Sequence, residues 1–296
     1  MADYTIGSFN TLSLNYRRDN EINKDFFKFA QIIEEENFDI VALQETLNKQ
    51  SIEFIIRHLS YPDKWKYYWD QEAERLVKDG ENNQLTKNQA KGFTFLWNTK
   101  RFEESSKDKL PQFEPVRGDI VRRPLVGRFI PVNGPFCEIR LINIHLCNPN
   151  EKKDKKLNEF KLISELHQRL YSKRYGNNRV AYTIVLGDYN IPLLYCHECE
   201  TINQLSTTTF LGGENEKTTL ISKEKYQEAI DNGEIPFIFA SDYDHFSYNL
   251  NYFENHNIIV NMNRINTVEK YCSNDLIEHR KTLSDHVPIK IELTLR

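Results

Sequence analysis

VAYTIVLGDYN, residues 180–190, is a near-continuous apolar run that ends abruptly on an acid and an amide. The uncharged, β-branched stretch VAYTIVLG describes a strand buried on both faces. Its polar end is the informative part. Asp188 and Asn190 lie two positions apart, so an extended backbone aims both to one side. An anion beside a neutral amide can hold a water or metal with one group and a phosphate oxygen with the other. The same residues also suit an Asx-rich turn after a strand.

Working outward, the pattern repeats. Upstream, 136–145 reads as a strand on which Cys137, Ile139 and Leu141 share one face, continued by Asn143 and His145. Its inward side therefore turns polar at its end. A partner strand around Val121–Val132 precedes it across the turn signal Asn133-Gly134-Pro135. Between these strands and 180–190, the spacing of Leu157, Phe160, Ile163, Leu166 and Leu170 predicts a helix over 153–174. Downstream, strands are expected around 241–249 and 256–262. The last strand alternates Ile289, Ile291 and Leu293 with Lys290, Glu292 and Thr294.

The N-terminal half has the same grammar. Tyr4 to Asn10 alternates as a strand with Ile6, Ser8 and Asn10 on one face, and 23–37 is helical with Phe26, Phe29, Ile32 and Ile33 at helical spacing. FDIVALQE is a short buried strand ending on Glu45, Ser51 to Leu59 reads as a helix, and GFTFLWN (92–98) as a strand. Residues 70–91 and 206–236 are polar and read as surface insertions, the second holding a short helix at 222–232. Strands and helices mix along the whole length without an internal repeat. The expectation is one α/β domain over 1–296.

A net charge of −4 excludes a globally basic nucleic-acid coat protein, though not an enzyme with a local cationic edge. No apolar run approaches the roughly 20 residues that span a bilayer. MADYTIGSFN lacks the basic start and apolar stretch of a secretory leader, and five cysteines form an odd set. A reduced, cytoplasmic protein is therefore expected, without stable membrane insertion.

Polar motifs close or open most of the apolar runs: SFNTLSLN (8–15), LQET (43–46), NIHL (143–146), LGDYN (186–190), SDYDHF (241–246) and SDHVP (284–288). Glu45 ends a strongly apolar strand, where an unpaired carboxylate is costly to bury. A hard cation such as Mg²⁺ takes one or two carboxylates plus waters and substrate phosphate, which Glu45 and Asp285 could supply, with Asn10 completing the shell or binding a phosphate oxygen. In SDHVP adjacent residues point to opposite sides, so His286 cannot pair with Asp285. As an acceptor of a proton from water, His286 needs another carboxylate to fix its tautomer. Asp244 is the natural candidate and Asp242 its competitor. Each short motif also has an ordinary reading as a cap, turn or surface ion pair.

As an ordered set, these motifs resemble the endonuclease/exonuclease/phosphatase superfamily, the deoxyribonuclease-I-like metal-dependent phosphoesterases. The resemblance runs from SFN near residue 8 to SDHVP near 288. It implies a four-layer α/β/β/α sandwich of two packed mixed β-sheets flanked by helices, with the site at one edge of the sheets. By that resemblance Glu45 is the principal Mg²⁺ ligand (Mn²⁺ being a possible substitute), with Asn10 and Asp285 close by. His286 takes the proton of the attacking water and is oriented by Asp244. Asp188 positions that water or a metal, Asn190 holds the scissile phosphate, and His145 stabilises phosphoryl oxygens or assists departure. RRPLVGRF (122–129) looks like the segment whose arginine before proline touches substrate phosphate, so Arg122 or Arg123 takes that role, with Arg117 and Arg128 extending the edge.

Three departures matter. The glutamate that partners the first histidine in deoxyribonuclease I is replaced near 89–91 by Gln, Ala and Lys, leaving His145 without an acid from that segment. The histidine of NIHL argues against abasic-site repair, where tyrosine stands. The inositol-phosphatase signature is absent from SDYDHF. Cys196-His197-Glu198-Cys199 has the spacing of half a zinc site with no second half. The resulting expectation is a monomeric Mg²⁺-dependent phosphodiesterase, a nuclease on DNA or RNA. The rivals are a phosphatase or phospholipid phosphodiesterase of sphingomyelinase or inositol-phosphatase type, and a non-catalytic binding scaffold.

Overall fold

The computed structural model describes residues 2–16, 24–70, 92–104, 120, 122–147, 152–173, 179–196, 208–209 and 217–295. Arg117, Cys199, positions 89–91, nearly all of the first expected insertion and residues 206–207 and 210–216 of the second lie outside them. In the first half the chain forms β1 (Ala2–Leu14), α1 (Phe26–Glu35), β2 (Ile40–Thr46), α2 (Lys49–His58), β3 (Trp65–Asp70), β4 (Gly92–Asn98), β5 (Phe102–Glu104) and β6 (Leu125–Pro131). In the second it forms β7 (Cys137–His145), α3 (Lys153–Ser172), β8 (Val180–Asp188), β9 (Thr208–Thr209) and α4 (Lys223–Asp231). Then come β10 (Asp244–Asn249), α5 (Leu250–Asn255), β11 (Ile259–Arg264), α6 (Thr267–Cys272), α7 (Leu276–Thr282) and β12 (Ile289–Leu295).

The described strands make two six-stranded sheets, ordered β11-β12-β1-β2-β4-β3 and β5-β6-β7-β8-β10-β9. Each sheet is mixed for the same reason. A helix crosses from β1 to β2 and another from β7 to β8, making those two pairs parallel, while the other pairings are antiparallel. Alternation along the strands sorts the apolar residues into layers. Ile6, Ile40, Ile139, Leu141, Ile184 and Ile291 point between the sheets into the main core. Val41 and Leu43 pack outward on α1 and α2, and Ile142, Ile144 and Val185 pack outward on α3. The result is the expected α/β/β/α sandwich.

Of these helices all but α3 start where a side chain satisfies one of the first amides. Asp25 caps α1 by accepting from Lys28 N, and Asn48 caps α2 by accepting from Ser51 N. The same device starts α6 at Asn266 and α7 at Asp275. Those two short helices, α5 and β3 were not expected. Each is too brief to show a period, and tertiary contacts fix them instead. The strand expected from Val121 begins at Leu125, and the one expected from 256 begins at Ile259 behind α5.

Charged residues on the α3 side of the second sheet depart from the expected pattern. Arg128 does not extend a cationic edge. It lies buried, opposite Arg140 in the β6–β7 register, and both guanidiniums hold Glu138. Arg140 also donates to the carbonyls of Leu170 and Lys173 at the end of α3. Burial opposes the Glu138 carboxylate, but the two arginines more than offset it and hold the group below the usual carboxylate range. Glu138→Gln strands two buried cations and is expected to cost about 3–5 kcal/mol of stability. Urea unfolding checks this, and a loss under about 1 kcal/mol would contradict it.

Candidate active site

Both parallel strand pairs end at the same edge of the sandwich, which places Asn10, Glu45, His145 and Asp188 together. Carboxyl ends of parallel strands are where open α/β sheets bind ligands. On the second sheet the register is a straight row: His145 opposes Asp188 on β7–β8, and Asp188 opposes Asp244 on β8–β10. Gly187 makes this approach possible. Its φ is +140°, and a Cβ there would sit 2.1 Å from the Ile144 carbonyl oxygen.

The first sheet reaches the same place by breaking its register. β1 and β2 fall out of step between Asn10 and Leu14, and β2 and β4 between Leu43 and Thr46. Leu12, Ser13 and Glu45 all take positive φ there. Gln44 points between the sheets, donating to Ser8 Oγ and Asn143 Oδ1, so strict alternation would send Glu45 to the outer face. Its left-handed backbone (φ 61°) turns it back toward His145. Such irregularities re-aim side chains beside functional sites. Ser13 then donates its N–H and hydroxyl to Glu45 Oε2.

The assembled side chains form a continuous array of alternating acid and imidazole. Glu45 Oε1 lies 3.9 Å from His145 Nδ1, and His145 Nε2 lies 3.5 Å from Asp188 Oδ2. That oxygen is 3.7 Å from His286 Nε2, and His286 Nδ1 is 2.7 Å from Asp244 Oδ2. His145 therefore does face acids, Glu45 and Asp188, although the sequence offered it none from the segment near 89–91. Asn10 Nδ2 donates to Asp188 Oδ2 at 2.9 Å, and the Asn190 N–H to Oδ1 at 2.8 Å. Asp244, not Asp242, orients His286; Asp242 accepts from the Leu193 N–H instead.

Burial sets the electrostatics. It pushes the Asp188 carboxyl up to about 7, with Asp244 adding to the rise and the charge of His286 and the N–H donors opposing it. For His286 burial disfavours the charged ring, yet the carboxylates of Asp244 and Asp188 prevail and raise it to about 10. The site thus stabilises an imidazolium at His286.

The remaining expected residues divide. Asn190 donates to the Leu146 carbonyl at 3.1 Å, and Arg122 donates to the same oxygen at 2.7 Å, which brings Arg122 to the rim beside Asn190. Arg123 pairs with Asp70 at 3.2 Å. Asp285 faces Arg280 at 3.6 Å. Cys196 is buried among the apolar residues under α3. Sequence reasoning missed Ser284, whose hydroxyl donates to the Asn10 carbonyl while accepting the His286 N–H. The serine of SDHVP was its only visible signal.

Among the described residues no three His, Cys, Asp or Glu side chains converge into a metal cage. The donor chemistry fits a cation that needs none. Mg²⁺ is commonly held by one or two carboxylates and completes its shell with water and substrate phosphate. Glu45, a 6% exposed carboxylate with Asn10 nearby, matches that requirement.

No protein-family model and no curated protein sequence matches the chain. Solved structures do. An endonuclease/exonuclease/phosphatase family protein from Bacteroides thetaiotaomicron aligns over 100% of this chain and 98% of its own, at 15% identity and TM-score 0.60. TDP2 of D. rerio complexed with a single-strand DNA product aligns over 99% and 100%, at 13% and 0.61. A mannosyl-6-phosphatase of B. thetaiotaomicron VPI-5482 aligns over 99% and 100%, at 16% and 0.61. The chain is built on the fold of the endonuclease/exonuclease/phosphatase superfamily, the one its motifs resemble. Among the described residues no helix is long and apolar enough to cross a membrane.

Proposed function

We propose that the chain is a divalent-metal phosphoester hydrolase, and within that class a phosphodiesterase acting on DNA or RNA. The observation that carries the reading is the unbroken Glu45–His145–Asp188–His286–Asp244 array at the strand ends, with Asn10 donating into its centre. Mg²⁺ bound through Glu45, with Asn10 nearby, would supply charge neutralisation at the phosphoryl oxygens.

The chain's own residues do the rest. His286 accepts the proton of a water held beside Asp188, and Asp244 stabilises the imidazolium that forms. A base whose protonated form is favoured this strongly pulls the proton well, at the cost of a smaller neutral fraction near pH 7. Asn190 and Arg122 sit together on the Leu146 carbonyl, an amide and a guanidinium side by side, the pair of groups that would meet phosphate oxygens at this rim. His145, between two acids, steadies the phosphoryl group or protonates the leaving oxygen.

The nuclease and phosphatase readings separate in one experiment. Oligonucleotides, a small model diester and sugar phosphates are incubated with and without EDTA, using Asp188→Asn as the blank. Hydrolysis of the oligonucleotides, abolished by EDTA and restored by Mg²⁺ or Mn²⁺, is the expected result. Turnover confined to monoesters would move the protein to the phosphatases, and chelator-resistant turnover would remove the metal from the proposal.

A further inference from the structure

The Asp244–His286 pair spans the two halves of the sandwich. Asp244 opens β10 in one sheet, whereas His286 precedes β12 in the other. Each sheet's ladder fixes only its own member, so the 2.7 Å contact needs something that ties the sheets together at this edge. The segment 217–221, within a stretch whose sequence reads as a polar insertion, lies between them. On one side Thr218 N and Thr219 N donate to the Ser241 carbonyl, Ala240 N donates to Thr219 O, and Ile221 N donates to Ile238 O. On the other, Leu220 N donates to Asp285 O and Val287 N to Thr218 O, and Thr219 bridges His286.

Thr218 is the one residue of this segment that bonds next to both members. Its hydroxyl oxygen accepts the N–H of Asp244 at 3.1 Å and of Tyr243 at 3.2 Å. Its carbonyl accepts the N–H of Val287, next to His286, at 2.8 Å. The residue is fully buried, so no water can replace a lost acceptor. Beneath it Leu220, Phe239, Val268, Leu276 and Val287 form a small apolar cluster that anchors the segment.

We propose that Thr218 is a positioning residue that sets the Asp244–His286 pair across the two sheets through its side-chain oxygen and its carbonyl. The role in turnover rests on the hydrolytic reading of the site; the role in geometry does not. Thr218→Val keeps the shape and the carbonyl but leaves two buried N–H groups without their acceptor. Thr218→Ser keeps the acceptor and loses only a methyl.

The primary readout is the proton resonance of the His286 Nδ1–H in metal-free protein, which a strong hydrogen bond to Asp244 moves far downfield and which Asp244→Asn assigns by its loss. The signal is expected to persist in Thr218→Ser and to move upfield or vanish in folded Thr218→Val. Where an activity has been identified, kcat of the valine variant falls about ten- to a hundredfold with KM little changed. An unaltered resonance in folded Thr218→Val overturns the proposal, whatever the substrate proves to be. Should the valine variant not fold, loss of the resonance in folded Thr218→Ser, which retains the hydroxyl, overturns it equally. An intact wild-type resonance with no hydrolysis of any ester would instead count against the hydrolase reading alone.

Discussion

Asp188→Asn lowers turnover by about two decades or more while the chain still folds. The substitution is isosteric, but a carboxylate offers two acceptor oxygens and an amide one. Asp188 uses both, taking Asn190 N on Oδ1 and Asn10 Nδ2 on Oδ2, so one donor is left facing an N–H. The same Oδ2 also stands between the Nε2 atoms of His145 and His286, at 3.5 and 3.7 Å. Neutralising it removes the negative centre to which both imidazoles are directed and the acceptor that would hold the attacking water. The structural loss is one hydrogen bond, about 1–3 kcal/mol, against the whole of a transition-state role. Steady-state kinetics paired with a thermal melt distinguish these effects. A folded variant with near-wild-type kcat would remove Asp188 from the chemistry.

The residues of this edge were legible to different degrees, and the differences have causes. Alternation along 137–145 placed Asn143 and His145 inward, because a strand with one helix-facing and one sheet-facing side leaves no third choice. The structure agrees: Asn143 bonds Gln44 across the sheets, and His145 meets Glu45. Glu45 itself was recognisable only as an acid in an expensive place. Its direction depends on a positive φ, and nothing in LQET announces one. Arg128, Glu138 and Arg140 were opaque for another reason. Charges on alternate positions normally mean a solvent face, and only the β6–β7 register shows that these three satisfy one another in the interior. Residues 217–221 lack apolar periodicity and owe their place to backbone bonds with residues some 20 and 70 positions away. The five residues Lys217 to Ile221 mix polar and apolar types without a period, and composition could say nothing of where they lie.

Asp244→Asn is expected to cost about two decades or more in turnover and to change the pH profile in a direction the geometry dictates. In the wild type, burial opposes the His286 imidazolium, but Asp244 and Asp188 raise it to about 10. A base needed in its neutral form then gives a rate that climbs as pH rises above neutrality. Removing the charge of Asp244 leaves burial less opposed, so the imidazole titrates lower and the rising limb moves toward acid pH. The plateau falls because the imidazolium formed in the transition state has lost its partner. Stability carries the matching sign. A folded-state value above the ordinary 6.5 contributes stability that is complete below 6.5 and lost as pH rises through about 10. Wild type should therefore lose stability between neutral pH and 10 by more than Asp244→Asn does. Urea unfolding across that range and kcat against pH for the two proteins test both statements. A limb that stays in place after the substitution would mean that His286 is not the group being titrated.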